Sequence, residues 1–377
     1  MTGRRKAGIT PGLSGIRAFA TRFAILSSPA AARGDIPARF DMTQHTYPAF
    51  MKAVAFDDFG GPEVLQYVEA PSPSMRPNDL IVRVAAAGIN RADINYRQGK
   101  YGKEPNFGDS DLTGLEIAGT VIDAGASVTQ FKPGDRVMGI TGGGGYAELA
   151  RLDAGLAMPV PAWMTDIEAA AIPEAFVTAH QALFHLGQLQ KGERVLIHGA
   201  GGGVGSAAVQ LAVLSEAGNV ITTSSAQKQD RLRALGVDLT IDYRGEQFDE
   251  VIAGLSPDPG VDVILDFVGG PYLERNIRSL RPGGRLIQIG VSGGSQATLP
   301  LDLVLFRRLR IEGTVMKSVS LTEKRNMVGR FAERWMLALA EGELKPIVDR
   351  TFTLREASEA HRHFERAEHF GKILLVP

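Results

Sequence analysis

The stretch Gly199–Gly205 reads Gly-Ala-Gly-Gly-Gly-Val-Gly and sits between an apolar run, Val195–Ile197, and a segment of helical period. A strand, a glycine turn and a helix N-terminus in that order let backbone amides approach a pyrophosphate, with the helix dipole aimed at it. The positions of the dinucleotide fingerprint fall on Ala200, Gly202 and Gly205, so the literal motif fails at its first glycine. The context is nevertheless intact. A second apolar run, Val220–Thr223, ends where such folds contact the adenosine ribose. The stretch therefore predicts a dinucleotide site rather than a purely structural glycine turn.

The residues after that second run bear on which dinucleotide. NAD sites place an acid there to accept from the free ribose 2′-hydroxyl, and an acid repels a 2′-phosphate. Here the chain has Ser224 and Ser225, with Lys228 shortly after. A charge-assisted contact from Lys228 is worth about 1.5–3 kcal/mol, which favours NADPH over NADH. The competing reading makes Lys228 an ordinary solvated lysine at a helix start. Tyr243, after the next strand, is placed to pack on the same phosphate or on the adenine.

Composition narrows the chemistry. The 377 residues leave room for two domains. A formal net charge of −1 offers no electrostatic case for a nucleic-acid partner. There is no cysteine, which excludes disulfides, thiolate nucleophiles and any zinc site built on sulfur. No apolar run approaches the roughly 20 residues of a membrane span, so a cytoplasmic protein is expected. The first fifty residues differ from the rest: Arg4, Arg5, Lys6, Arg17, Arg22, Arg33 and Arg39 face only Asp35 and Asp41. That bias reads either as an organelle transit peptide or, more simply, as a poorly ordered tail or an upstream start before Met42 or Met51.

From Met51 onward the chain divides by period. Short strand-like runs separated by Gly- and Pro-rich turns predict a β-rich first part. From Thr165 the period becomes helical, with a break near Pro173. Beyond it, strands at 195–198, 220–223, 239–242, 261–267 and 285–289 alternate with helices, which implies a parallel sheet covered on both faces. After Gly313 the repeats stop. Thr322–Glu341 is expected as an amphipathic helix with Met327, Phe331, Trp335, Leu337 and Leu339 on or near one stripe, and Leu354–Glu368 as a second helix. Lys372–Val376 reads as a strand returning to the first part. The expected organisation is an extension over 1–50, a catalytic part over 51–173, a Rossmann domain over 174–314 and the rest of the catalytic part over 315–377.

Several motifs in unbroken order carry a family resemblance: Asn90-Arg91-Ala92-Asp93, Arg97-Gln98-Gly99-x-Tyr101, Gly114-Leu115-Glu116, Pro133-Gly134-Asp135-Arg136-Val137, 170–178, 198–210 and Asp266-Phe267-Val268-Gly269-Gly270. Together they resemble the zinc-free quinone oxidoreductases of the medium-chain dehydrogenase/reductase superfamily, the branch of zeta-crystallin and the tumour-suppressor-inducible quinone oxidoreductase. The resemblance implies an α/β chain: a doubly wound Rossmann-type parallel sheet inserted in a GroES-like β-barrel catalytic domain, and a homodimer. It further implies that Gly202, Gly203 and Val204 meet the pyrophosphate and that Ser225, Lys228 and Tyr243 meet the 2′-phosphate end. Val268, Gly290 and Lys372 would meet other parts of the nucleotide, and Asn90, Tyr101 and Thr178 would lie near the nicotinamide. Zinc-dependent relatives carry Cys where Asn90 stands and His where Leu115 stands, so no metal is expected. His361, His363 and His369 are read as solvated helix histidines rather than ligands.

Without a zinc Lewis acid, alcohol oxidation is disfavoured, and a conjugated acceptor such as a quinone or enone is the better hydride acceptor. Positioning then carries most of the catalysis. Tyr101 and Asn90 are candidate hydrogen-bond donors to the acceptor oxygen; alternatively Asn90 caps the following helix and Tyr101 only lines a cleft wall. Three functions stay open: an NADPH:quinone reductase passing hydride or single electrons, a 2-alkenal or enoyl-thioester reductase, and an NADPH-binding protein with a structural or RNA-binding role.

Overall fold

The computed structural model describes residues 47–101, 110, 112–255 and 259–377. The basic segment expected to extend from the N-terminus lies, up to residue 46, outside the described residues. Strands β1 (Phe50–Ala55) and β2 (Gln66–Pro71) form an antiparallel pair. Strands β3 (Asp79–Gly88), β4 (Glu116–Ala124), β5 (Arg136–Ile140), β6 (Leu149–Asp153) and β7 (Ala157–Pro159) follow, with helix α1 (Arg91–Arg97) between β3 and β4. Two helices then lead away, α2 (Asp166–Ala169) and α3 (Pro173–His180). Pro173 opens α3 at its first turn, where a missing N–H costs nothing and the fixed φ suits the helix.

The alternating segment runs β8 (Arg194–Ile197), α4 (Gly203–Leu214), β9 (Asn219–Ser224), α5 (Gln229–Arg233), β10 (Leu239–Asp242), α6 (Phe248–Ala253), β11 (Val261–Asp266), α7 (Leu273–Ser279), β12 (Leu280–Gln288), α8 (Leu301–Arg307) and β13 (Arg310–Gly313). These six strands make one parallel sheet in the order β10-β9-β8-β11-β12-β13. Chain order reverses between β8 and β11, and a crevice opens beyond the carboxyl ends of the strands at such a point. Side chains alternate between two cores. Val195, Ile197, Val263 and Leu265 pack with Ala207, Val209 and Leu211 of α4, whereas Leu196, Ile221, Ile264 and Leu286 pack with Phe248, Ile252 and Ile277 on the other face. Both faces are covered, as the near-continuous apolar strands require.

The chain ends with α9 (Leu321–Glu341), β14 (Val348–Thr353), α10 (Ala357–Glu365) and β15 (Lys372–Val376). The last strand pairs antiparallel with β3, so the seven-stranded sheet β14-β15-β3-β4-β5-β7, with β6 also on β3, draws on both ends of the chain. The six-stranded sheet is thereby inserted within it. Among the described residues no helix is long and apolar enough to cross a membrane.

Two expectations are corrected here. Leu337 is 69% exposed, while Met327, Val328, Phe331, Trp335 and Leu339 make the buried stripe of α9. Leu337 lies two residues from both Trp335 and Leu339, which turns it to the far side at 3.6 residues per turn. The C-terminal histidines are also not solvated: His361 is fully buried, His369 nearly so, and His363 donates to or accepts from Asp349 at 2.9 Å. Tertiary packing hides them. His361 stands edge-on to Tyr146 with ring centroids 5.8 Å apart and contacts Arg97, so burial and that guanidinium pull its pKa down to about 3. Among the described residues no group of three or more His, Cys, Asp or Glu could hold a metal ion.

Helix α4 meets β8 through Gly205: a Cβ there would lie 2.6 Å from the Gly199 carbonyl oxygen and 2.7 Å from Ala200 Cα. Gly205→Ala is therefore expected to destabilise the protein by about 1–3 kcal/mol, read as a lowered urea midpoint with an unchanged slope.

Candidate active site

The glycine loop is shaped by where its left-handed residue falls. Gly199 has φ +57°, whereas Ala200 is absent from the positive-φ residues and is fully buried. The turn that the fingerprint assigns to its first glycine is thus made one residue earlier, and alanine at 200 carries no backbone strain. Gly202 is the N-cap of α4 in extended conformation, so the first amides of α4 lie at the helix N-terminus without intrahelical acceptors. Space over the loop is bounded by two lysine stems. A Cβ on Gly201 would meet Lys228 Cδ at 2.5 Å, and one on Gly203 would meet Lys372 Cδ at 2.5 Å; over Gly202 the nearest atom is 3.5 Å away. The loop is also stitched to the C-terminal strand, Gly371 N–H donating to the Gly201 carbonyl at 3.0 Å.

The other predicted nucleotide residues gather at the carboxyl ends of the same sheet. Ser224 closes β9 beside Asp242 of β10, and Tyr243 N–H donates to the Ser224 carbonyl at 3.3 Å. Ser225 starts the turn whose last residue is Lys228. The Lys228 ammonium donates to the Ala367 carbonyl at 2.8 Å, and burial, reinforced by Arg231 and Arg244, lowers its pKa. Arg244 follows Tyr243 at the surface, 5.7 Å from that ring. Val268 and Gly290 follow the ends of β11 and β12. Their loops are held by Asp266, whose carboxylate accepts from the amides of Val268 at 2.6 Å and Gly269 at 3.0 Å. Beneath them His198 bridges Thr223 at 2.9 Å and Asn276 at 2.8 Å, and desolvation lowers its pKa to about 4.

The barrel contributes a buried polar cluster. The Lys372 ammonium pairs with Glu116 and donates to Asn90 Oδ1 at 2.7 Å and to the Ile89 carbonyl at 2.9 Å. Asn90 in turn donates to Glu116 Oε1 at 2.9 Å, while its own backbone N–H is taken by Asp93 at 2.8 Å. Both side-chain ends of Asn90 are therefore committed, and it presents no free amide to an acceptor. Asn90 is the N-cap of α1, as the capping alternative expected, and Asp93 at the third helical position closes a capping box by accepting its N–H. Burial raises the Asp93 pKa to about 7 against that N–H and Lys372. Glu116 Oε2 accepts from Glu174 N–H at 2.8 Å, tying β4 to α3. Thr178 is the one residue of α3 that is not buried.

The structure thus brings Gly202, Gly203, Lys228 and Lys372 together at one loop, and Asn90 onto Lys372. Lys372 reaches the loop with its stem, its ammonium being spent inside the barrel. Val204 follows Gly203 in the first turn of α4. Tyr101 stands apart, its hydroxyl accepting from Asn95 at 3.3 Å and its ring lying 4.6 Å from the Lys317 ammonium. Glu116 and Glu174 are not among the expected site residues, although both lie inside motifs that carry the family resemblance, Gly114-Leu115-Glu116 and 170–178. A carboxylate within an apolar strand such as Glu116-Ile117-Ala118 was the available signal, since acids are rarely buried without a partner.

This arrangement, a doubly wound sheet with its crevice facing a barrel built from both chain ends, defines a nicotinamide-dependent oxidoreductase. Family models agree: the alcohol dehydrogenase GroES-like domain matches residues 76–162 and the zinc-binding dehydrogenase model matches residues 203–333. The chain is 30% identical to the rat protein named quinone oxidoreductase, over 86% of this chain and 98% of that one. It is also 30% identical to the human synaptic vesicle membrane protein VAT-1 homolog, over 87% and 86% respectively. The solved CurK enoyl reductase superposes with a TM-score of 0.76 at 28% identity, covering 87% of this chain and 99% of that one. The chain belongs to the quinone oxidoreductase-like family of medium-chain dehydrogenases/reductases.

Proposed function

We propose that this protein is an NADPH-dependent reductase that delivers hydride, or single electrons, to quinones without a zinc ion. The observation that carries the cofactor choice is the end of β9, where Ser224 and Ser225 replace the acid of NAD sites and Lys228, Arg231 and Arg244 supply positive charge nearby. NADPH supplies the hydride. The chain's residues hold it: the amides of Gly202, Gly203 and Val204 at the pyrophosphate, and Ser225, Lys228, Tyr243 and Arg244 at the 2′-phosphate. Val268, Gly290 and Thr178 line the way inward, and Tyr101 remains the candidate donor from the cleft wall. The zinc-free reading rests on donor chemistry. There is no cysteine, Leu115 is apolar, and Asn90 already serves Lys372 and Glu116. The quinone reading rests on likeness to the rat protein, and a second reading, reduction of an enoyl thioester or 2-alkenal, is favoured by the likeness to the enoyl reductase.

Lys228→Ala and Arg244→Ala are each expected to raise KM for NADPH by about 10-fold or more while leaving KM for NADH near wild type; equal losses for both cofactors would remove the phosphate assignment. NADPH oxidation should be faster with 1,4-benzoquinone than with crotonyl-CoA or a 2-alkenal and should withstand prolonged EDTA treatment. Faster turnover of the thioester or alkenal selects the second reading, and activity restored only by zinc overturns the first.

A homodimer is proposed through the six-stranded sheet. Its edge strand β13 is exposed along its length, and Leu301, Leu305 and Phe306 of α8 are 68%, 70% and 77% exposed. Phe306→Glu is expected to convert a dimer to a monomer in light scattering with NADPH binding retained, and a wild type already monomeric would refute the assignment.

A further inference from the structure

Reduction of a conjugated acceptor consumes a proton as well as a hydride. Tyr101 can hydrogen-bond the acceptor from the cleft wall, but a phenol holds its proton tightly near neutral pH, and the buried polar cluster offers a more acidic source. Asn90 and Lys372 have their protons committed to each other, to Glu116 and to the Ile89 carbonyl. Glu174 is different. It lies on α3 one turn before Thr178, and residues four apart share a helix face, so the carboxyl is on the same face as the one residue of α3 that is not buried. Its Oε2 is enclosed and has no hydrogen-bond partner, although the residue as a whole keeps 9% exposure. An enclosed carboxyl oxygen without a donor is a poor place for negative charge and a natural place for a proton.

We propose that Glu174 holds the proton that the acceptor takes up with the hydride and donates it on the side of the cleft marked by Thr178. This rests on the reductase reading above. Charge counting supports it. The cluster has one enclosed ammonium, Lys372, against three carboxyls, Glu116, Glu174 and Asp93. Glu116 takes the ammonium, and Glu174, beside a like charge and out of water, keeps its proton. The charged groups facing Glu174 are Glu116 from β4, Lys372 from β15, Asp93 from α1 and Lys324 from α9. Burial first, then Glu116, raises its pKa to about 8, with Lys372 and Lys324 opposing. The acid form therefore prevails below that value.

The step balances. Hydride from NADPH C4 adds to the conjugated acceptor, and the displaced π-electron pair comes to rest on the acceptor oxygen. The Glu174 O–H bond breaks as its proton bonds to that oxygen. The carboxylate is then reprotonated by a proton from bulk solvent, so the sum is NADPH, a solvent proton and quinone giving NADP⁺ and hydroquinone.

The test compares the full-length wild type with Glu174→Gln and Glu174→Asp in steady-state turnover of NADPH and 1,4-benzoquinone across pH, in H₂O and D₂O. Infrared titration of the protonated-carboxyl band accompanies it. Wild-type kcat is expected to fall above about pH 8. Glu174→Gln should lower kcat by about 100-fold or more, abolish the alkaline limb and solvent isotope effect, and leave KM for NADPH unchanged. Glu174→Asp should restore part of kcat with a shifted limb, which also serves if the glutamine variant does not fold. The wild type should show a protonated-carboxyl band that fades near pH 8 and is missing from Glu174→Gln. An active Glu174→Gln with wild-type kcat and pH limb, or a wild type without that band, overturns the proposal. A wild type that turns over neither quinones nor enones fells the reductase reading and the donor role with it, while the infrared titration separately reports whether Glu174 is protonated.

Discussion

Lys372 bears the junction of the molecule. Its ammonium is enclosed by Glu116, Asn90 and the Ile89 carbonyl, and its stem passes over Gly203 at the start of α4. One side chain near the C-terminus therefore joins three regions far apart in sequence: the turn into α1, the start of β4 and the glycine loop at the start of α4. Buried charge of this kind is costly to isolate, since removing one partner of a buried pair strands the other at about 3–5 kcal/mol. The cluster holds because each of the ammonium's three protons has an acceptor.

That constraint propagates outward. Glu116, held by Lys372 and Asn90, accepts the backbone N–H of Glu174 and so fixes the first turn of α3 against β4. Helix α3 packs on α4 within the same core that runs under the seven-stranded sheet, so the barrel and the nucleotide-binding sheet share one interior. On the opposite side of the loop, Lys228 reaches the Ala367 carbonyl just past α10, and Gly371 pairs with Gly201. The cleft is thereby bounded by the two lysines, one committed to the interior and one near the surface where the 2′-phosphate is proposed to bind.

Much of this was legible without coordinates. Alternation of period marked five of the six parallel strands, leaving out the edge strand β13. The glycine loop located α4, and the terminal apolar run Lys372–Val376 identified a strand returning to the first part. The failed first glycine of the fingerprint was also resolved by geometry that sequence alone could not supply: the left-handed residue is Gly199, and the motif is displaced rather than broken. Other features resisted reading for a definite reason. His361, Arg97 and Tyr146 are brought together from α10, α1 and the loop before β6, with Arg97 and His361 264 positions apart. No local pattern encodes such a meeting.

Sequence by itself determined the class of fold, the place of the glycine loop that opens α4 and the absence of thiol chemistry. These follow from local backbone preference, hydrophobic period and composition, which act over a few residues at a time. Tertiary structure alone decided which polar groups are spent and which are free. Asn90 passed from candidate donor to anchor of Lys372, the histidines from solvated to buried, and Glu174 from an unnoticed helix residue to a carboxyl with an unpartnered oxygen. The reason is that desolvation and pairing depend on groups arriving from distant segments, and only the packed chain sets their distances.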